Sequence, residues 1–232
     1  MRYPNIEKAV FLDRPNRFTA RVELAGRTET VHVKNTGRLG ELLRPGAEVW
    51  LTEPGTAGRK TRYDLVAARK AGGLLVNVDS QAPNAVAGEW LAGLGLGRVV
   101  PEYRYGASRL DFFLERAGGA ASLLLEVKGC TLERGGLGWF PDAPTERGLR
   151  HLHALREAAS SGFRSALLFV IQMDGVTEVR ANVQTQPAFG AALAEARAAG
   201  VGVLYLPCHV EPDSLCVAGA AAAEAWLRGG SL

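Results

Sequence analysis

The chain has 232 residues, 47% hydrophobic and 22% charged, with a net charge of +3, and its 28 glycines and 11 prolines are scattered without a fixed repeat. That balance excludes a disordered or fibrous chain and supplies core material for one large domain or two small ones. Three cysteines (Cys130, Cys208, Cys216), none in a C-x-x-C pair, indicate neither a disulfide framework nor a structural zinc site.

The start, "MRYPNIEKAVF", lacks the apolar run of a secretory signal, and no stretch approaches the ~18 apolar residues of a membrane helix. A soluble, cytoplasmic protein without membrane contact is expected. Charge is uneven: residues 1–80 carry 14 Lys and Arg against 9 Asp and Glu, whereas residues 81–232 carry 13 against 15. The basic front third fits a polyanionic partner, although many solvated surfaces look the same.

Residues 1–82 read as a first domain of short strands broken by turns: "FTARVELAG", "TETVHVKN", "AEVWLTEPG", "RYDLVAARKAG" and "GLLVNVDS". Five strands without a long helix predict a small β-barrel of the oligonucleotide-binding kind. Alternation in "TETVHVK" puts Val31 and Val33 on one face and His32 and Lys34 on the other. "KNTGRLG" sets Asn35 and Gly37 in a tight turn ahead of Arg38, either an anion-binding nest or a plain hairpin turn.

From residue 83 to 232 the pattern becomes α/β. "PNAVAGEWLAGL" predicts a helix carrying Glu89, followed by strands "SRLDFFL" and "ASLLLEVKG" joined by a turn at Gly118 and Gly119. A helix from Thr145 to about Ser160, the strand "SALLFVIQ", a helix from Pro187 to about Ala199 and the strand "GVGVLYLP" complete a mixed sheet. The unbroken apolar run "ALLFVI" implies cover on both faces.

Three charges interrupt these strands: Asp111, Glu126 and Lys128. Side chains alternate along a strand, so Glu126 and Lys128 share a face, and a hairpin folds Asp111 back against Glu126. Two carboxylates in an apolar sheet repel each other and lose hydration, and a divalent cation, Mg²⁺ or Mn²⁺, removes that cost. Asp111, Glu126 and Glu89 are the expected metal ligands. Lys128 is placed beside the attacking water of a phosphodiester hydrolysis. The plain alternative is an ordinary surface pair, because Glu-x-Lys is short enough to occur by chance.

The next helix, "TERGLRHLHALREAASSG", has Thr145 as its N-cap and Leu149, Leu152 and Leu155 as its buried stripe. Arg147, Arg150, His151 and Arg156 are left for solvent or phosphate, with Arg147 and His151 the preferred phosphate contacts. Gln172 ends its strand either lining the cleft or as a satisfied buried amide.

The strings "HVKNTGRLGELL", "PNAVAGEWL", "SRLDFFL", "LEVKGCTL" and "FPDAPTERGLRHLHAL", in this order and spacing, resemble the sugar fermentation stimulation protein family along nearly the whole chain. The resemblance implies an N-terminal barrel like oligonucleotide-binding domains and a C-terminal domain similar to the PD-(D/E)xK nucleases. Their acid, Glu-x-Lys and helical Glu positions then fall on Asp111, Glu126, Lys128 and Glu89. It also implies DNA, or RNA in second place, as partner; a homodimer is compatible with it. The expected activity is Mg²⁺-dependent phosphodiester cleavage, and the alternative is a non-catalytic DNA-binding regulator of sugar, notably maltose, metabolism. Two departures stand out: Leu110 replaces the proline of the nuclease name, and Gln186 stands where an aspartate is expected.

Overall fold

A computed structural model describes residues 1–55, 58–116 and 121–230. Six strands come first: β1 (Ile6–Asn16), β2 (Thr19–Leu24), β3 (Arg27–Val33), β4 (Glu48–Thr52), β5 (Asp64–Arg69) and β6 (Leu75–Asn77). The first five close into a barrel in the order β3-β2-β1-β4-β5. A parallel pairing of β3 with β5, His32 opposite Asp64 and Val33 opposite Leu65, seals the ring.

The barrel has the predicted number of strands with a different membership. β1 lies outside the predicted set, because "IEKAVFLDRPN" alternates irregularly and its pairing with β2 shifts register twice. β6, taken from sequence as the fifth strand, pairs with β5 but turns toward the second domain. There Val76 bridges Met173, and Asn77 N donates to Gln172 O at 2.9 Å. Val31 and Val33 point into the barrel and are fully buried, as the alternation requires.

The remaining elements are α1 (Ala82–Gly93), β7 (Arg98–Tyr105), β8 (Ser108–Glu115), β9 (Leu123–Cys130), β10 (Leu132–Arg134), β11 (Leu137–Phe140), α2 (Glu146–Ser160), β12 (Arg164–Ile171), β13 (Val179–Ala181), α3 (Pro187–Ala198), β14 (Gly202–Glu211), β15 (Ser214–Val217) and α4 (Ala221–Leu227). The central sheet is mixed, in the order β15-β14-β12-β9-β8-β7, with β9, β12 and β14 parallel and both flanks antiparallel. β8 and β9 pair as the predicted hairpin, Phe112 opposite Leu125; its Gly118–Gly119 turn lies outside the described residues.

Both faces of the sheet are covered, which explains the unbroken apolar strand. On β12, Leu167, Phe169 and Ile171 join a core that includes Leu152 and Leu155 of α2. Ala166, Leu168 and Val170 join the opposite core, with Val86 and Leu91 of α1 and Trp226 of α4. The helix α2 begins where expected: Thr145 Oγ1 accepts from Gly148 N at 2.9 Å and satisfies an otherwise free first-turn amide.

The two domains are tied together on several sides. The N-terminal segment crosses to β15, Tyr3 N donating to Asp213 O at 2.7 Å and Leu215 N to Met1 O at 3.1 Å. Gln172 is the satisfied buried amide: its Nε2 donates to Asn77 Oδ1 at 2.8 Å and to Asp79 O at 3.0 Å. The backbone N–H of Leu39 donates to Asp142 Oδ2 at 2.9 Å. No helix among the described residues is long and apolar enough to cross a membrane.

Candidate active site

The β8–β9 ladder ends at Phe112–Leu125. The next amide, Val127 N, donates instead to the Asp111 side chain, at 2.8 Å from Oδ2. Asp111 Oδ1 accepts from Asn84 Nδ2 on the first turn of α1, also at 2.8 Å. Asp111 thereby fills the gap where the two strands part.

Glu126 lies on the α2 face of β9 and is 1% exposed. Its Oε1 faces both Lys128 Nζ and His151 Nδ1, while its Oε2 is buried without a hydrogen-bond partner. Lys128 Nζ is 3.5 Å from His151 Nδ1. Arg147 Nε donates to His151 Nε2 at 3.5 Å, so the imidazole presents Nδ1 to Glu126 and Nε2 to the guanidinium.

The two carboxylates respond in opposite ways. Burial and the neighbouring Glu126 charge push Asp111 above the usual carboxylate range, against the pull of the Val127 amide, Lys128 and Asn84. Burial also raises Glu126, but the hydrogen bond from His151 and the charge of Lys128 outweigh it and hold the group below its ordinary value.

Several expected residues sit elsewhere. Glu89 does not join this cluster: α1 packs on the opposite face of the sheet from Glu126, and only its first turn reaches Asp111. Glu89 is exposed and pairs with the N-terminal ammonium of Met1 at 2.9 Å. The expected three-acid metal site is therefore a two-acid site, and no group of three or more His, Cys, Asp or Glu is arranged to hold a metal among the described residues.

His151, expected as a phosphate contact, is buried at 5% exposure and orients Glu126. Arg147 and Arg150 are exposed on α2, whereas Arg156 pairs with Glu195. Asn35 is a scaffold of its own loop: Oδ1 accepts from Gly37 N at 2.8 Å and Nδ2 donates to Val78 O at 3.1 Å. Arg38 is exposed.

Asn84 and Arg14 escaped sequence reasoning. Asn84 lies inside the quoted "PNAVAGEWL", and its position on the first turn, nearest the sheet rim, was the available signal. Arg14 donates to the carbonyls of Arg17, Asn35, Gly37 and Arg38 at 2.6–3.0 Å, fixing the barrel loop from within. No sequence signal separates it from the other arginines. Gln186, at the position expected to hold aspartate, accepts from Thr145 N at 3.0 Å and steadies the start of α2.

A cleft of about 510 Å³ lies between the domains and reaches the cluster's strand at Gly129. Arg17 and Arg38 line it from the barrel, and Gly129, Trp139, Asp142 and Thr145 from the second domain. Gly129 is the residue after Lys128, and a side chain there would collide with Gln172 and come 2.7 Å from Pro83 Cγ.

A family model described as the sugar fermentation stimulation protein RE domain matches residues 81–214, and one described as the SfsA N-terminal OB domain matches residues 12–78. The chain belongs to the sugar fermentation stimulation protein family. A homolog from Desulfitobacterium hafniense is 46% identical over 218 residues, spanning 93% of this chain and 94% of the relative. One from Ruminiclostridium cellulolyticum is 43% identical over 215 residues, spanning 91% and 94%. Among solved structures, Pyrococcus furiosus SfsA in complex with Ca²⁺ superimposes with a TM-score of 0.83 at 30% identity, covering 95% of this chain and 96% of that one. The family's barrel and α/β architecture is the one seen here.

Proposed function

We propose that this member of the family is a divalent-cation-dependent phosphodiesterase acting on nucleic acid, with Asp111 and Glu126 as cation ligands and Lys128 beside the scissile phosphate. The observation that carries this reading is the orphaned Oε2 of Glu126, buried within charge reach of a second carboxylate, with the Lys128 ammonium acting on both. Such a donor set suits a hard cation that binds through one or two carboxylates and completes its shell with water and substrate phosphate. The Pyrococcus furiosus relative is described in complex with Ca²⁺, itself a hard divalent cation.

A bound cation would supply Lewis acidity toward the phosphate oxygens. The chain's own residues do the rest. Lys128 holds its ammonium where negative charge grows on the phosphate, and His151 keeps Glu126 in place from the α2 side. Asn84 and the Val127 amide fix both oxygens of Asp111. In the reaction, a water oxygen bonds to phosphorus and the bond from phosphorus to the leaving nucleoside oxygen breaks. The water's proton ends on that oxygen by way of solvent, leaving a phosphomonoester and an alcohol.

One observation favours a second reading, a nucleic-acid-binding regulator without turnover: Glu89 stands on the far face, so only two acids gather. Incubating the full chain with DNA and RNA, with and without Mg²⁺ or Mn²⁺, separates the two. Cleavage that needs the cation and falls about 10²–10³-fold in Glu126→Gln is expected. A folded chain that binds oligonucleotides and cleaves none would leave the regulator.

A further inference from the structure

We propose that the interdomain cleft is a subsite for one unpaired strand, so that the chain engages single-stranded nucleic acid, or an end peeled from a duplex, rather than the interior of a helix. This deepens the phosphodiesterase reading and rests on it for the direction of the strand toward Lys128.

Depth is the first argument. Glu126 is 1% exposed, and Gly129, the residue after Lys128, lines the cleft together with the barrel loop from Asn35 to Arg38. A strand free of its complement can bend a phosphate into the cleft toward that covered residue, whereas a duplex keeps its phosphates on the outside of a stiff cylinder. The volume, about 510 Å³, lies within the ~300–1,000 Å³ that encloses one ligand-sized unit such as a nucleotide.

Chemistry is the second. Arg17 and Arg38 line the barrel side, and neither guanidinium has an acidic partner among the described residues. Next to Arg17, at the tip of the β1–β2 hairpin, Phe18 is 52% exposed, and Trp139 lies half-buried on the opposite wall. Alternating cations and open aromatic faces suit a backbone whose bases are free to stack; bases inside a duplex offer no free face.

Rigidity is the third. The four carbonyls gripped by Arg14 and the Leu39 N–Asp142 bond hold the barrel lip against the second domain. A lip held in this way resists the widening that a second strand would require.

Fluorescence polarisation with labelled single-stranded DNA, single-stranded RNA and a blunt DNA duplex of matched sequence, in Ca²⁺, tests the assignment. Single strands should bind about tenfold or more tightly than the duplex. Phe18→Ala should lose about tenfold of single-strand affinity, and Arg38→Ala should flatten the salt slope by about 0.7. Both side chains are exposed, so the variants should melt like the parent. Equal or tighter duplex binding, or affinities unmoved by both substitutions, would overturn the cleft assignment. Single-strand binding that responds to both variants in a chain that cleaves nothing with Mn²⁺ would refute the phosphodiesterase and uphold the cleft. Internal duplex cleavage at the single-strand rate would do the reverse.

Discussion

Asp64 in the barrel and Glu126 in the central sheet are both withdrawn from water, at 0% and 1% exposure, yet their surroundings differ in one respect. Asp64 Oδ1 meets the Arg59 guanidinium and lies 3.3 Å from His32 Nδ1. Lys34 Nζ stands 3.3 Å from its Oδ2, near enough for charge though without hydrogen-bond geometry, and 3.0 Å from Asp79. Two acids there face two permanent cations and a histidine. Around Glu126, two acids share one ammonium, and the nearest guanidinium reaches only as far as His151. A buried carboxylate is therefore not in itself a sign of function; a local shortfall of positive charge is the stronger one.

The largest expected effect breaks the Asp64 cluster. Asp64→Asn leaves Arg59 and Lys34 under-paired in a mostly enclosed site and should cost about 3 kcal/mol of stability in urea unfolding. Glu126→Gln, measured without divalent ions, should cost less, because Asp111 remains within reach of the Lys128 charge although the pull of Lys128 and His151 on a carboxylate is lost. Equal losses would erase the distinction between the two clusters.

Next comes the cation itself. Mg²⁺ at about a hundredfold over its dissociation constant should add about 2.7 kcal/mol to the stability of the parent chain. Asp111→Asn should abolish that gain in a thermal melt, and Asp64→Asn, in whatever remains folded, should keep it. A cation response that follows Asp64 would place the ion in the barrel.

A smaller effect follows from the raised Asp111 carboxyl. Its folded value lies above the ordinary 3.8, so the folded chain retains a proton that the unfolded chain releases. Stability contributed by this group is present below 3.8 and falls as pH rises through the folded value. Asp111→Asn should therefore be neutral near pH 3 and stabilising near pH 7 in cation-free buffer. Urea titrations at the two pH values read the difference; a gain confined to low pH would contradict the assigned cause.

The smallest effect belongs to an exposed cluster of the same residue types. His209 Nδ1 is 2.7 Å from Asp174 and its Nε2 3.0 Å from Glu211, and these two hydrogen bonds raise its pKa. That contribution is present below the ordinary histidine value of 6.5 and lost as pH rises through the folded value. His209→Gln should lower the melting temperature slightly at pH 6 and not at pH 9. A large change would mean that exposed pairs here matter as much as buried ones.

Much of the second domain was legible because its strands and helices carry long, regular signals. "ALLFVI" is apolar at every position because each face packs a helix layer, and Thr145 announces α2 through its cap. The elements that escaped were mostly short, irregular or at an edge: β1 with its register shifts, the edge strand β7, the short strands β10, β11, β13 and β15, and α4, whose alanines carry little pattern. Glu126 and Lys128 were placed on a common face by strand periodicity, and Asp111 was folded against them by the hairpin. Glu89 was misplaced because helical spacing gives its angle around α1 but not which face of the sheet α1 covers.

The sequence by itself determined the family, the local periodicities, and hence which side chains share a strand face or a helix stripe. These follow from covalent geometry and need only neighbours in the chain. Tertiary structure alone decided that Asn84 meets Asp111, that His151 is buried against Glu126, that Arg14 holds the barrel loop, and that a charged cleft opens between the domains. Each of those contacts joins residues brought together by the packing of separate layers, where closeness depends on core shape and on which polar groups find partners once water is excluded.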